Sequence, residues 1–216
     1  MLAAGLLAAA AAAGGCAAVS WTVAQFAPPQ KVDALYKPPK GKTILVFVDD
    51  IYTEVAYQPI KVELTDRLND RLTKYKIAAA TVPYKNFITL ASAGRDFDNL
   101  TVAEAGRRLG ADLVLYVHID KFSLRDDEQS PLWHGQLQAT IRIVDVDAGR
   151  LWPLDDPEGY AVPPVDLPAV DNSSAAYGSE VARQLAEEMA ERIVNCFRDH
   201  TAPAQGTWEQ AQQSGV

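Results

Sequence analysis

The sequence predicts an α/β fold with helices packed on a mixed β-sheet, in the order β-α-β-α-β-β-β-α. Residues 43–48 and 113–119 are mostly apolar runs rich in β-branched side chains, as is typical of buried central strands. Apolar residues recur at helical spacing over 59–76 and in a stripe on 174–199. Residues 137–143 instead alternate apolar and polar side chains, as a strand with one solvated face does. Strands that alternate with helices and then form a hairpin indicate a mixed sheet.

Local signals predict where several elements begin and end. Thr101 and Glu104 have the spacing of a capping box, and Gly110 suits the residue that follows the helix they begin. A short strand is expected near residues 77–82, between the first two helices. The Asp-Ala-Gly sequence at 147–149 is expected to turn the chain of the hairpin. Together with the hydrophobic periodicity, these signals predict one domain that spans residues 42–200.

Composition narrows the class of function. The net charge of −8 and the isoelectric point near 4.9 argue against nucleic-acid binding, which needs a Lys/Arg surface. The same acidity argues against a polybasic membrane-binding surface. Only two cysteines are present, so no disulfide framework is implied, and Cys196 is expected to be a small buried hydrophobic residue.

The first 16 residues predict a lipid anchor. Residues 1–15 form a short, uncharged apolar leader typical of a secretory signal peptide. The sequence Ala-Gly-Gly-Cys at 13–16 resembles the lipobox of bacterial lipoproteins, which implies that Cys16 carries palmitate-type acyl chains and anchors the chain in a membrane. It departs from the usual pattern at Ala13, where Leu is common, and in lacking a basic amino-terminal region. The alternatives are an ordinary signal peptide or an Ala/Gly leader that happens to contain a cysteine.

Two further segments flank the predicted domain. Residues 16–41 hold two Pro-Pro pairs and are expected to form an extended tether. Residues 201–216 are polar and aperiodic and are expected to be a disordered tail. Ala17, rather than Asp, follows the predicted lipidated cysteine, which resembles outer-membrane lipoproteins more than inner-membrane ones.

The sequence around the second helix and strand resembles a family of bacterial envelope lipoproteins. Residues 105–119, AGRRLGADLVLYVHI, are similar to the helix, LGAD and strand core of the CsgG-like and LpoB-like lipoproteins and of the TolB amino-terminal domain. Residues 139–149 resemble the hairpin of the same families. The resemblance covers residues 42–199. It implies adaptor, activator or assembly work in the cell envelope, facing the periplasm, rather than catalysis.

The candidate site for a partner lies in a long acidic segment. Residues 153–172 contain five prolines and five acidic residues but no basic residue, and connecting segments of this length are usually functional or disordered. Trp152, Asp155, Asp156, Glu158 and Tyr160 are the residues predicted to dock a basic partner surface, since opposite charge speeds association. The alternative is a mobile solvated insert.

Two other groups of residues could bind a small ligand or a metal ion. Asp49 and Asp50 end the first strand, where α/β folds often place ligands, and Glu54 follows, so the three carboxylates could hold a cation such as Ca²⁺. His118 and Asp120 share one face of a strand. A solvated turn and a half-buried histidine are the plainer interpretations.

The sequence therefore predicts a membrane-anchored envelope lipoprotein whose domain binds other envelope proteins. No nucleophile elbow, phosphate-binding loop or HExxH motif appears, so we expect neither an enzyme nor a bound cofactor. A periplasmic module that binds a small ligand or metal is the alternative.

Overall fold

The computed structural model describes residues 31–50, 55–92, 100–127, 129–172, 174 and 176–201. They belong to two compact units, residues 33–198 and a second unit whose described part is 31–32 and 199–201. The helices are α1 (Pro59–Lys74), α2 (Tyr84–Ser92), α3 (Val102–Arg108) and α4 (Tyr177–Asn195). The strands are β1 (Lys31–Val32), β2 (Thr43–Asp49), β3 (Ala80–Thr81), β4 (Leu113–Ser123), β5 (Leu132–Trp133), β6 (Gln136–Asp145), β7 (Gly149–Trp152), β8 (Tyr160–Ala161), β9 (Val165–Asp166), β10 (Val170–Asp171) and β11 (His200–Thr201).

The larger unit is built on a seven-stranded mixed sheet. Strand β2 pairs in parallel with β3 on one side and with β4 on the other. Strand β6 is antiparallel to β4, and β7, β8 and β9 all pair with β6. The predicted α/β fold on a mixed sheet is confirmed. In the smaller unit, β1 and β11 pair antiparallel.

The sheet is covered on both faces because alternate residues of its strands point to opposite sides. One face carries the main core, in which buried residues of β2, β4 and β6 meet the apolar stripes of α1 and α4. Leu45 and Val114 point to the other face. There they pack against Val102 of α3 and against Leu109, the residue that follows α3. The apolar stripes that predict α1 and α4 are therefore the surfaces that bury the sheet.

The local signals for α3 and the hairpin are confirmed. Thr101 Oγ1 accepts from the Glu104 N–H at 3.2 Å, and the Thr101 N–H donates to Glu104 Oε2 at 2.8 Å, so the capping box is complete. Gly110 has a φ of +71°, the left-handed conformation that favours glycine after a helix. In the hairpin turn, Asp145 Oδ1 accepts from the backbone N–H groups of Asp147 and Ala148, each at 2.9 Å.

The long acidic segment forms an interrupted edge strand. After β7, the chain pairs with β6 again at β8, through Thr140 and Ile141, and once more at β9, through Gln136 and Leu137. Strand β10 then pairs with β5 in a separate two-stranded sheet. The prolines of the segment lie between these short strands, as proline at a sheet edge does because it cannot donate to the ladder. Residues 160–161, 165–166 and 170–171 of the segment are therefore short strands.

Other elements differ from the prediction or lie outside the described residues. Helix α2 was not predicted, and the last predicted helix spans Tyr177–Asn195 rather than 174–199. The end of the predicted tether contacts the folded unit, since the Tyr36 N–H donates to the Cys196 carbonyl at 3.1 Å. Cys196 is a free, buried thiol, as expected, and burial raises its pKa to about 11. The predicted signal peptide, Cys16, Glu54 and residues 202–216 lie outside the described residues.

Candidate protein-interaction site

The acidic loop, residues 154–158, projects from the sheet edge between β7 and β8. Asp155, Asp156 and Glu158 are all exposed, as the sequence predicts. Leu154 precedes them and is 78% exposed. Three carboxylates and one large apolar side chain are therefore presented to solvent within five residues. Leu154 was not among the predicted site residues, although an apolar residue directly before an acidic run is a signal that could have identified it.

The backbone of the acidic loop is held in place by a strand residue. Arg150 of β7 donates from Nη1 to the Asp156 carbonyl and from Nη2 to the Pro157 carbonyl, both at 2.8 Å. The Glu158 N–H donates to Asp156 Oδ1 at 2.9 Å and closes a side-chain turn. The guanidinium thus orders the loop through its carbonyl oxygens. The carboxylates of Asp155 and Glu158 take no part in these two bonds, and both residues are exposed.

A glycine closes the acidic loop tightly against the sheet. Gly159 has a φ of +114° and is buried. A Cβ at this residue would lie 2.7 Å from Thr140 Cγ2 and 2.9 Å from the Ile141 carbonyl oxygen. Both the backbone conformation and the close approach therefore require glycine. The loop consequently starts and ends at fixed points along β6.

The two predicted aromatic residues form the base of the site. The ring of Trp152 lies 5.9 Å from Tyr36, 5.2 Å from Tyr160 and 5.8 Å from Phe197, measured between ring centroids. Trp152 and Tyr160 are both half-buried against the main core. The structure therefore brings the five predicted residues together, but divides them into an exposed acidic group and an inward aromatic pair.

The rest of the edge segment is fixed by two basic side chains. Arg192 of α4 donates from Nη1 to the Pro163 carbonyl at 3.2 Å and also to the Pro164 carbonyl. His134 joins two carboxylates, with Nε2 at 2.7 Å from Asp166 Oδ1 and Nδ1 at 2.6 Å from Asp126 Oδ1. The hydrogen bonds that the protonated imidazole donates, first to Asp166 and then to Asp126, raise the pKa of His134.

The carboxylates at the end of β2 engage different partners. Asp49 is buried and accepts a hydrogen bond from the Tyr116 hydroxyl. Asp50 accepts from Lys61 Nζ at 2.9 Å and from the Val55 N–H at 3.3 Å. Partial burial opposes the ionised form of Asp50, but the hydrogen bond and charge of Lys61, together with hydrogen bonds from Val55 and Gln58, outweigh it and hold the pKa of Asp50 below its ordinary value. Glu54, the third predicted ligand, lies outside the described residues.

His118 and Asp120 share a face of β4, as predicted. His118 Nε2 lies 3.9 Å from Asp120 Oδ1, and Asp120 Oδ2 accepts from the Thr140 hydroxyl at 2.8 Å. Asp49 and His118 are register partners on the parallel strands β2 and β4. Within the described ranges, no three His, Cys, Asp or Glu side chains are grouped so that they could hold a metal ion.

Comparison with known proteins yields structural likenesses alone. No family model matches the chain, and no curated protein matches it. Among solved structures, the PelC dodecamer from Paraburkholderia phytofirmans is similar at 11% identity and a TM-score of 0.40, covering 77% of this chain and 96% of that one. Lipoprotein GNA1162 from Neisseria meningitidis is similar at 15% identity and a TM-score of 0.38, covering 71% and 99%.

A minor lipoprotein from Acinetobacter baumannii is also similar, at 12% identity and a TM-score of 0.35, covering 74% of this chain and 98% of that one. The similar structures thus include bacterial lipoproteins, the kind of protein that the sequence resemblance implies. At these identities and TM-scores the likeness assigns neither an activity nor a partner to this chain. Among the described helices, none is both long and apolar enough to cross a membrane.

Proposed function

We propose that this chain is a lipid-anchored envelope protein whose folded unit binds a partner protein through the acidic loop. The observation that carries the proposal is the ordered presentation of Leu154 beside Asp155, Asp156 and Glu158. An ordered backbone loses less conformational entropy on binding than a mobile one. The carboxylates favour a partner with a basic surface and speed its association.

The energetic roles within the loop differ. Carboxylates at the rim of an interface mainly change the association rate and its salt dependence. Leu154 supplies apolar area, and full burial of a leucine side chain contributes about 1.5–3 kcal/mol. The partner surface that fits this loop therefore has an apolar pocket surrounded by Lys or Arg.

Quantitative capture of envelope proteins tests the acidic loop. The triple variant Asp155→Asn, Asp156→Asn and Glu158→Gln should lose the captured partner, and Leu154→Ser should weaken its capture. A control variant with the same change in charge is Asp33→Asn, Asp127→Asn and Asp171→Asn, which are exposed elsewhere. Equal losses in both triple variants would show a general charge effect and would overturn the role of this loop.

The lipid anchor is tested separately. Intact-mass analysis of the membrane fraction should show an acyl adduct on the chain that disappears in Cys16→Ser. Outer-membrane attachment and a periplasm-facing domain are part of the same proposal, and fractionation of the two membranes tests them. A chain without an adduct would contradict the lipoprotein assignment but would leave the binding role of the acidic loop open to its own test.

A further inference from the structure

A groove between α1 and α2 lies apart from the acidic loop. Its volume is about 920 Å³, and its walls include Val62 and Asp66 on α1 and Tyr84 and Ile88 on α2. Val62 is 37% exposed and Ile88 is 43% exposed. Single exposed apolar residues are common on protein surfaces, but here two of them line the same concave surface.

Helix α2 is weakly held by the rest of the unit. It has nine residues, and none of them is buried. Its main aromatic contact with the sheet is made by Phe87, whose ring centroid lies 4.9 Å from that of Phe47 in an edge-on arrangement. Isolated helices of this length are marginal in water and depend on packing of their apolar side chains. A ligand that covers Ile88 would therefore stabilise the helix as well as bury apolar area.

The α1 wall of the groove is acidic. Asp66 and Asp70 are four residues apart on the same helix face, where like charges repel. Partial burial, and then the charges of Asp70 and Glu63, raise the pKa of Asp66. Two basic side chains of α1 pair with other carboxylates, Lys61 with Asp50 and Arg67 with Glu63, although the charge of Arg67 acts against the rise in the Asp66 pKa. Lys85 of α2 also lines the groove. A cation in the groove would relieve this repulsion.

We propose that this groove binds an amphipathic segment of a partner protein, with its apolar side chains on Val62 and Ile88 and its Lys or Arg side chains on Asp66 and Asp70. An anionic membrane surface does not fit, because the two carboxylates would repel it. Amphipathic helices commonly bind hydrophobic grooves in this manner. The interaction is a second contact, distinct from the one made by the acidic loop.

The test uses a model peptide and the full chain with Cys16→Ser, which removes the lipid. A fluorescent peptide of about 18 residues, with leucines on one face and lysines on the other, is titrated into the protein. Amide NMR spectra locate the contact, and fluorescence anisotropy gives its affinity. We expect shifts in residues 62–70 and 84–89.

Two variants and one control decide the outcome. Ile88→Ser, and separately the pair Asp66→Asn and Asp70→Asn, should each weaken binding about tenfold, as loss of a central contact does. The pair Asp33→Asn and Asp171→Asn makes the same charge change elsewhere and should leave the affinity unchanged. Because Ile88 is exposed, Ile88→Ser should keep the wild-type circular dichroism spectrum.

Three results would overturn this proposal. Shifts confined to residues 154–158 would place basic peptides on the acidic loop alone and would leave the proposed function intact. Equal weakening by the control pair would reveal only a general charge effect. A wild-type dimer that Ile88→Ser converts to a monomer, with no peptide binding, would show that a second copy of the chain occupies the groove.

Discussion

The guanidinium of Arg150 donates to the carbonyl oxygen of Asp156 at 2.8 Å and thereby ties the acidic loop to strand β7. A second bond, to the Pro157 carbonyl, has the same length. Both acceptors are main-chain oxygens, so these two bonds fix the path of the loop without using its carboxylates. Arg150 therefore orders the loop together with the turn closed by Asp156 and the packing of Gly159 on β6.

Removal of the Arg150 side chain should loosen the acidic loop while the fold persists. We expect Arg150→Ala to increase amide hydrogen exchange at residues 155–159. It should also lower the free energy of unfolding by about 1–2 kcal/mol, because a charged donor strengthens a hydrogen bond and exposure to solvent weakens it. Arg108→Ala, at an exposed residue of α3, is the control. Unchanged exchange at the loop in Arg150→Ala would show that the loop is ordered by other contacts.

Gly178 should tolerate no side chain, despite its place in a helix. A Cβ there would lie 2.5 Å from the ring of Trp133, which is buried. The ring cannot move easily, because Arg125 lies over it at 4.0 Å and its Nε1–H donates to the Asn172 carbonyl at 2.8 Å. Gly178→Ala should therefore destabilise by about 1–3 kcal/mol, the usual cost of overpacking, as measured by urea unfolding.

A double-mutant cycle separates this clash from backbone effects. In a Trp133→Val background the obstruction is gone, and Gly178→Ala should be neutral or stabilise by up to about 1 kcal/mol, as alanine does in a helix. An equal cost in both backgrounds would contradict a role for the Trp133 ring.

His134 should make stability depend on pH. Its pKa is raised by Asp166 and Asp126, and Gln136 Nε2 also contacts Asp166, at 3.3 Å. A raised histidine pKa means that the protonated form is favoured by folding, so its stabilisation is complete below the unfolded value near 6.5 and is lost as pH rises through the folded value. As pH rises from below 6.5 to above the folded pKa of His134, the wild type should lose its stability advantage over His134→Gln.

The measurement is urea unfolding of wild type and His134→Gln from pH 5.5 to 9, with the His134 pKa followed by NMR. Asp166→Asn should bring that pKa down toward its ordinary value. A stability difference that stays constant across the series would show that the ion pairs of His134 contribute nothing to folding.

Arg71 should contribute to the contact between α1 and α4. It pairs with Glu191 at 2.8 Å and also with Glu187, and its side chain is only 14% exposed. Arg71→Gln should lower the unfolding free energy by about 1–2 kcal/mol at pH 7, a value kept small because Glu187 is nearly half exposed. Lys74→Gln, at an exposed residue of the same helix, should change it by less than about 0.5 kcal/mol.

The same pairs predict behaviour in acid. The hydrogen bond from Arg71 lowers the pKa of Glu187, and burial of Glu191 is outweighed by its bonds to Arg71 and Arg198, so its pKa is lowered too. Their stabilisation is therefore present above the unfolded value near 4.5 and is lost as pH falls through the folded values. The difference between wild type and Arg71→Gln should shrink in acid; a constant difference would exclude these carboxylates as its cause.

The sequence predicts those features whose causes are local. Thr101 and Glu104 are three residues apart, so their capping box is readable from the chain alone. The apolar stripes of α1 and α4 and the alternation in β6 also repeat over short distances. These signals are sufficient for the α/β fold and its principal elements.

Features that depend on distant pairing were missed. The acidic segment has few strand signals, and its β8 and β9 exist because each pairs with β6 about 20 to 30 residues earlier in the chain. Helix α2 is short and has no buried residue, so its hydrophobic periodicity is too weak to predict a helix. The divergence of Asp49 toward Tyr116 and of Asp50 toward Lys61 depends on neighbours 67 and 11 residues away.

Site-specific photo-crosslinking in the native envelope tests the acidic loop most directly. A photoreactive phenylalanine analogue is placed at Leu154, which is 78% exposed, and at the control residue Leu35, which is 52% exposed and lies in the segment before β2. We expect a discrete adduct with a partner protein from residue 154 alone, and its loss in the Asp155→Asn, Asp156→Asn and Glu158→Gln background. No adduct at 154, or one that the charge variant leaves unchanged, would contradict binding through the acidic loop.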